Sequence, residues 1–152
     1  GILTGVYDAW EIKIALHCAH NDIQLLCSPS DNYALFCEYH TVAPSEEKAR
    51  KVASTLQRKL GQDFYETILT VILAIDLSPK KKLDKADAVY HTIVAALGSP
   101  KGARILEHLS NPYIYRIFEL SRATASEAHH LKGFLRFSEL QNGVLFYVEF
   151  QH

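Results

Sequence analysis

Apolar side chains in the first sixteen residues fall at Leu3, Val6, Tyr7, Trp10, Ile14 and Ala15. This helical period predicts a helix from Ile2 to Leu16. The pattern then shortens. Ile23, Leu25 and Leu26 suggest a short strand, and Pro29-Ser30-Asp31-Asn32 a turn. Ala34 to Val42 is rich in strand formers and predicts a second strand. Ser45 is a candidate N-cap, with Glu46 and Glu47 placed to favour the positive end of a helix that runs to Leu60 and stops at Gly61. Asp63 with Glu66 has the spacing of a capping box and opens a further helix to about Ile75. Asp84 or Lys85 begins a helix through Leu97, with Ala86, Val89, Tyr90, Ile93, Val94 and Leu97 on its apolar face, and Gly98-Ser99-Pro100 breaks it. Gly102 to Leu109 predicts a short helix. Asn111-Pro112 places a cap before a proline at the first helical position. The helix it opens runs to Leu131, burying Ile114, Ile117, Phe118, Ser121, Ala125 and Ala128, and ends at Gly133.

Two strand-like runs, Phe134 to Gln141 and Val144 to Gln151, flank Asn142-Gly143. Asn-Gly in that setting is a strong hairpin signal. In the register it sets, Leu135 faces Phe150, Phe137 faces Val148 and Arg136 faces Glu149. These elements predict an α+β fold: a mainly helical body packed on a small antiparallel sheet that includes the C-terminal β-hairpin. There is no internal repeat and no linker, so one domain spanning residues 1–152 is expected.

Composition narrows the class. The chain is 48% hydrophobic over 152 residues, enough for a real core. No apolar run reaches the length of a membrane span, and no signal peptide is visible, so a cytoplasmic protein without membrane contact is expected. Cys18, Cys27 and Cys37 are odd in number and lack C-x-x-C spacing, which argues for reduced thiols. The net charge of −1 conceals an asymmetry. Residues 1–76 carry six Lys and Arg against ten Asp and Glu, and residues 77–152 carry ten against seven. The second half is therefore mildly basic, less so than strong nucleic-acid binders. No P-loop, G-x-G-x-x-G or Ser-His-Asp order is present, which argues against the standard hydrolases and nucleotide-binding domains.

Candidate chemistry concentrates between Arg122 and Arg136. Arg122, Ser126 and His129 lie at i, i+4 and i+7 on one helical stripe, and Glu127 and His130 form an adjacent i, i+3 pair. Lys132 and Arg136 follow around Gly133. In a functional reading, Arg122, Lys132 and Arg136 hold phosphate or a carboxylate, His129 supplies proton transfer or a hydrogen bond to a base, and Glu127 is a further acid–base candidate. In a structural reading, Glu127 pairs with His130 or Arg136, Lys132 and the histidines favour the helix C-terminus, and Arg136 pairs with Glu149. Elsewhere, His17 and His20 are at i, i+3 and could face one ion, but zinc wants about four ligands, so no metal site is assigned. Trp10 reads as core more readily than as a base-stacking platform. Lys80 to Lys82 reads as a solvated basic loop.

The segments GILTGVYDAW (1–10), LFCEYHTV (35–42), KADAVY (85–90), RIFELSR (116–122) and EAHHLKGFLRFSELQNGVL (127–145) resemble, in order, a bacterial family of DNA-repair or DNA-metabolism proteins that is itself a domain of unknown function. The last segment is the most specific. The resemblance implies a protein that accompanies a radical-SAM partner thought to modify or repair DNA. Some members carry a domain similar to uracil-DNA glycosylase. Its Gly-Gln-Asp-Pro-Tyr loop is not found here: Gly61-Gln62-Asp63-Phe64-Tyr65 lacks the proline. No C-x-x-x-C-x-x-C cluster motif occurs either. Members usually begin earlier, with an Asp-Gly, and continue into a segment containing Pro-His-Phe, so a chain shortened at both ends is expected. The expected function is an accessory DNA-repair or DNA-metabolism domain that binds DNA, or presents it to the radical-SAM protein, without a cofactor of its own. The alternatives are an enzyme acting on a nucleic-acid base or sugar through Glu127 and His129, and a protein-interaction module without DNA contact.

Overall fold

The computed structural model describes residues 1–27, 36–76, 82–122 and 144–149. Helix α1 spans Ile2–Leu16 and leads through a 3₁₀ turn, His20–Asp22, into strand β1, Ile23–Leu26. Strand β2 is Cys37–Val42, and helices α2 and α3 are Glu46–Leu60 and Gln62–Leu73. Helix α4 is Lys85–Gly98, followed by a 3₁₀ turn at Gly102–Glu107. Helix α5 covers residues 112–122, and strand β3 is Val144–Glu149. The fold is α+β, with a mainly helical body and a small antiparallel sheet.

Local chemistry sets most boundaries. Ser45 caps α2 by accepting from the Lys48 amide at 3.3 Å. Its backbone also holds the start of α1: the buried Thr4 hydroxyl donates to the Ser45 carbonyl at 3.1 Å and accepts from the Ser45 amide at 3.3 Å. Gly61, at φ 92°, ends α2 and opens α3 within one residue, a backbone conformation that favours glycine. That early start displaces the expected capping box: Asp63 lies inside the first turn of α3, and the helix has no side-chain cap. Helix α3 ends at Leu73, two residues before the expected Ile75. Its last carbonyls are met from outside, because the Lys85 ammonium donates to Ile72 O at 2.6 Å and Ala74 O at 3.2 Å. Asn111 caps α5 as expected, accepting from Tyr113 N at 2.9 Å.

The strand order is β1-β3-β2, with β3 antiparallel to both neighbours. Leu25 pairs with Phe146, and Tyr39 with Tyr147. This corrects the expected hairpin. The edge that Val144–Glu149 was to offer Phe134–Gln141 is taken, since β1 fills one side of β3 and β2 the other. Residues 134–141 and the Asn142-Gly143 pair, where the turn is expected, lie outside the described residues. The Asn-Gly signal reports a local turn preference, whereas pairing partners are decided by which edges are open.

The outer edge of β1 is closed by side chains of α4. His91 Nε2–H donates to Ile23 O at 3.0 Å, and the Leu25 amide donates to Asp87 Oδ1 at 3.1 Å. The Cys27 amide donates to both Asp84 carboxylate oxygens, at 3.1 and 3.0 Å. Alternate residues of a strand point their backbone groups to the same edge, so positions 23, 25 and 27 form one row. Asp84, Asp87 and His91 climb α4 by about 4.5 and 6 Å, near the roughly 6.6 Å two-residue step of a strand. The helix thus serves β1 as a second neighbouring strand would. Ile23 and Leu25 are buried in a core shared with α1, α2, α3 and α4. That core includes Ile2, Val6, Leu56, Phe64, Ile68, Val89, Tyr90 and Ile93.

Replacing Asp87 with alanine leaves the Leu25 amide without its acceptor in a dry site, so a loss of about 2–3 kcal/mol is expected. Asp8 pairs with Lys48 at 2.7 Å on a more open surface, and Asp8→Ala should cost less than about 1 kcal/mol. Urea unfolding midpoints of the two variants compare them. Equal losses would mean that the contact with β1 adds nothing to stability.

Candidate nucleic-acid interface

The buried and half-buried titratable groups around α4 have the makings of an acid–base site. Burial raises the Asp84 carboxyl above the usual carboxylate range, against the opposing pull of the Cys27 and Ala86 amides that it accepts from. Burial also pushes the Tyr90 phenol well above its ordinary value. Tyr90 lies 2.5 Å from His20 Nδ1. The His20 imidazole is lowered from 6.5 by burial, then by Lys13 and His91 nearby. A neutral His20 accepts at Nδ1 from a protonated Tyr90 hydroxyl, which agrees with both directions. Trp10 meets the His20 ring edge-on at 4.6 Å, and Tyr113 stacks on His91 at 4.4 Å.

Each of these groups already has structural work. Asp84, Asp87 and His91 hold β1, and His20 tethers the turn before β1 to α4. Among the described residues, no three His, Cys, Asp or Glu side chains gather as metal ligands. A groove of about 360 Å³ between α1, α2 and α4 is lined by Tyr7, Trp10, Ile14, Leu56, Ile93 and Leu97 among others. Glu11, Lys51, Thr55 and Lys59 also line it.

Of the residues singled out from the sequence, Arg122 is described and is exposed on α5, with no ion-pair partner among the described residues. Glu127, His129, Lys132 and Arg136 lie outside the described residues. Other cations nearby are committed. Arg116 is buried, its guanidinium 2.6 Å from Asp76 and its Nε–H donating to Leu83 O at 2.9 Å. Lys82, from the basic loop, pairs with Glu119.

The pairing of Arg116 changes the face that α5 shows to solvent. The apolar positions Ile114, Ile117, Phe118 and Ser121 centre the expected buried arc near Ile114 and Ser121. The observed buried side chains are Ile114, Arg116, Ile117 and Leu120. At 100° per residue, turning Arg116 inward rotates the arc and carries Phe118 out. Phe118 is 39% exposed and Tyr115 48% exposed, correcting the expectation that Phe118 is core. Tyr115, Phe118 and Arg122 thus occupy i, i+3 and i+7 of one exposed stripe, and the two rings lie 6.2 Å apart, tilted by 37°.

Residues 83–152 match the family model DUF4130, a domain of unknown function. Neither a curated protein nor a solved structure matches the chain. The DUF4130 match takes in α4, α5 and β3, together with the whole span from Arg122 to Arg136. It leaves out β1 and β2, the two strands that flank β3. It also leaves out the β1 backbone groups that Asp84, Asp87 and His91 hold. Among the described residues, no helix is long and apolar enough to cross a membrane.

Two outcomes follow from this geometry. A fragment of residues 83–152 should show no cooperative thermal unfolding by circular dichroism, and adding residues 1–82 in trans should restore it. Cooperative unfolding of the fragment alone would show that β3 does not need its two neighbours. The second concerns pH. Because folding lowers the His20 pKa, the unfolded chain binds more protons than the folded chain between 6.5 and the lowered value. Stability should therefore fall as pH drops below about 6.5. His20→Asn, whose amide oxygen can still accept from Tyr90, should flatten the urea midpoint over that window, and an unchanged profile would assign the dependence elsewhere.

Proposed function

We propose that this chain is an accessory domain of DNA repair or DNA metabolism that binds nucleic acid, or presents it to a radical-SAM partner, through the exposed face of α5 and the segment following it. Arg122, Lys132 and Arg136 are the phosphate-binding residues in this reading. The observation that carries it is the position of Arg122. It stands exposed and without an ion-pair partner among the described residues, where the chain enters the stretch that bears Lys132 and Arg136. The family resemblance and the basic second half support the same reading. An accessory role also agrees with the commitment of the buried titratable groups to holding β1.

Fluorescence anisotropy with labelled oligonucleotides at two or more salt concentrations tests it. Binding should weaken as salt rises, and Arg122→Ala should reduce the slope of log affinity against log salt by about 1. Since Arg122 is exposed, the variant should unfold at the wild-type temperature. Absence of salt-sensitive binding to any oligonucleotide would overturn the proposal.

A further inference from the structure

We propose that Tyr115 and Phe118 are a stacking platform for unpaired bases, so that the nucleic acid taken on this face is single-stranded. The inference rests on the reading above and names its ligand class. Three observations carry it. First, two aromatic rings of one helix are 48% and 39% exposed, although the same helix buries Ile114, Ile117 and Leu120. Second, the rings are neighbours, 6.2 Å between centroids, and form one apolar surface rather than two scattered positions. Third, Arg122 follows Phe118 on the same stripe, about 6 Å further along the helix axis, so a cation stands beside the rings where a backbone phosphate would lie.

The open faces of the rings argue for a single strand over a duplex. Glu119 and Lys82 neutralise each other, and Arg116 is turned inward to Asp76. In the described part of this face Arg122 is then the uncommitted cation. Duplex binding rests chiefly on neutralising several phosphates, and paired bases offer no open ring faces. Unpaired bases do offer them, and stacking on aromatic side chains tolerates any sequence. Two neighbouring exposed rings beside a cation meet the needs of the second ligand better than those of the first.

The experiment compares anisotropy of the full chain with a single-stranded oligothymidylate, the same strand carrying abasic sites at its centre, and a duplex of equal length. The single strand should bind tightest, and the abasic strand roughly tenfold more weakly. The double variant Tyr115→Ala/Phe118→Ala should lose a similar factor on the intact strand while keeping its salt slope. Tyr115→Phe, which retains the ring, should bind as wild type. Both positions are partly exposed, and a melting curve confirms that the double variant folds. Binding that depends on Arg122 but ignores the rings and abasic sites, or that favours duplex, overturns the platform and leaves the proposed function standing. No binding to any of the three ligands overturns both. A wild-type dimer that the ring variant converts to monomer would assign the face to a second copy of the chain and overturn the platform.

Discussion

The contact between α4 and the outer edge of β1 governs the rest of the structure. A three-stranded sheet with β3 in the middle leaves β1 with one edge facing the helical body, where water cannot satisfy its backbone. Asp84, Asp87 and His91 meet that edge group by group. Without them, Ile23 and Leu25 could be buried only at the cost of unpaired amides and carbonyls beside them. The same contact orients α4, and with it the core that Val89, Tyr90 and Ile93 share with the other helices. Asp84 contributes twice, because it also caps α4 through the Ala86 amide at 2.9 Å.

This arrangement joins distant parts of the chain. Strands β1 and β2 come from the first third and do not pair with each other, so the sheet is complete only when β3 arrives from the C-terminus. Such non-local pairing is slow to form, because long loops must close before the contacts that reward closure exist. It also explains why a match confined to residues 83–152 cannot describe a self-sufficient sheet. Function is affected as well. The buried Asp87 and His91 and the half-buried Asp84 are the groups the sheet edge requires, whereas Tyr115, Phe118 and Arg122 stand exposed on α5.

The candidate interface was only partly legible in the sequence. Arg122 was visible from its charge and its place on a helical stripe. Tyr115 and Phe118 were not, because the periodicity of α5 assigns Phe118 to the apolar arc beside Ile114 and Ile117. What rotates that arc is the burial of Arg116 against Asp76, forty positions earlier in the chain. A helical wheel has no means of anticipating a charged residue on the inward face. The signal that could have raised the question is composition: Tyr115, Arg116, Phe118 and Arg122 place aromatic and cationic residues together within eight positions.

Helices α1 and α2, the turn at Gly61, the strands around Ile23 and Cys37, and the caps at Ser45, Asp84 and Asn111 were all set by the sequence itself. Each depends on periodicity, a capping side chain or a glycine acting within a few residues. Tertiary structure decided which strands pair, what closes the edge of β1, and which face of α5 meets solvent. Those outcomes depend on groups that lie far apart in the chain. Leu25 and Asp87, Tyr39 and Tyr147, and Arg116 and Asp76 come together only when the fold has formed. The Asn-Gly signal shows the division most clearly: a local preference is plain to read, but Val144–Glu149 pairs with β1 on one edge and β2 on the other.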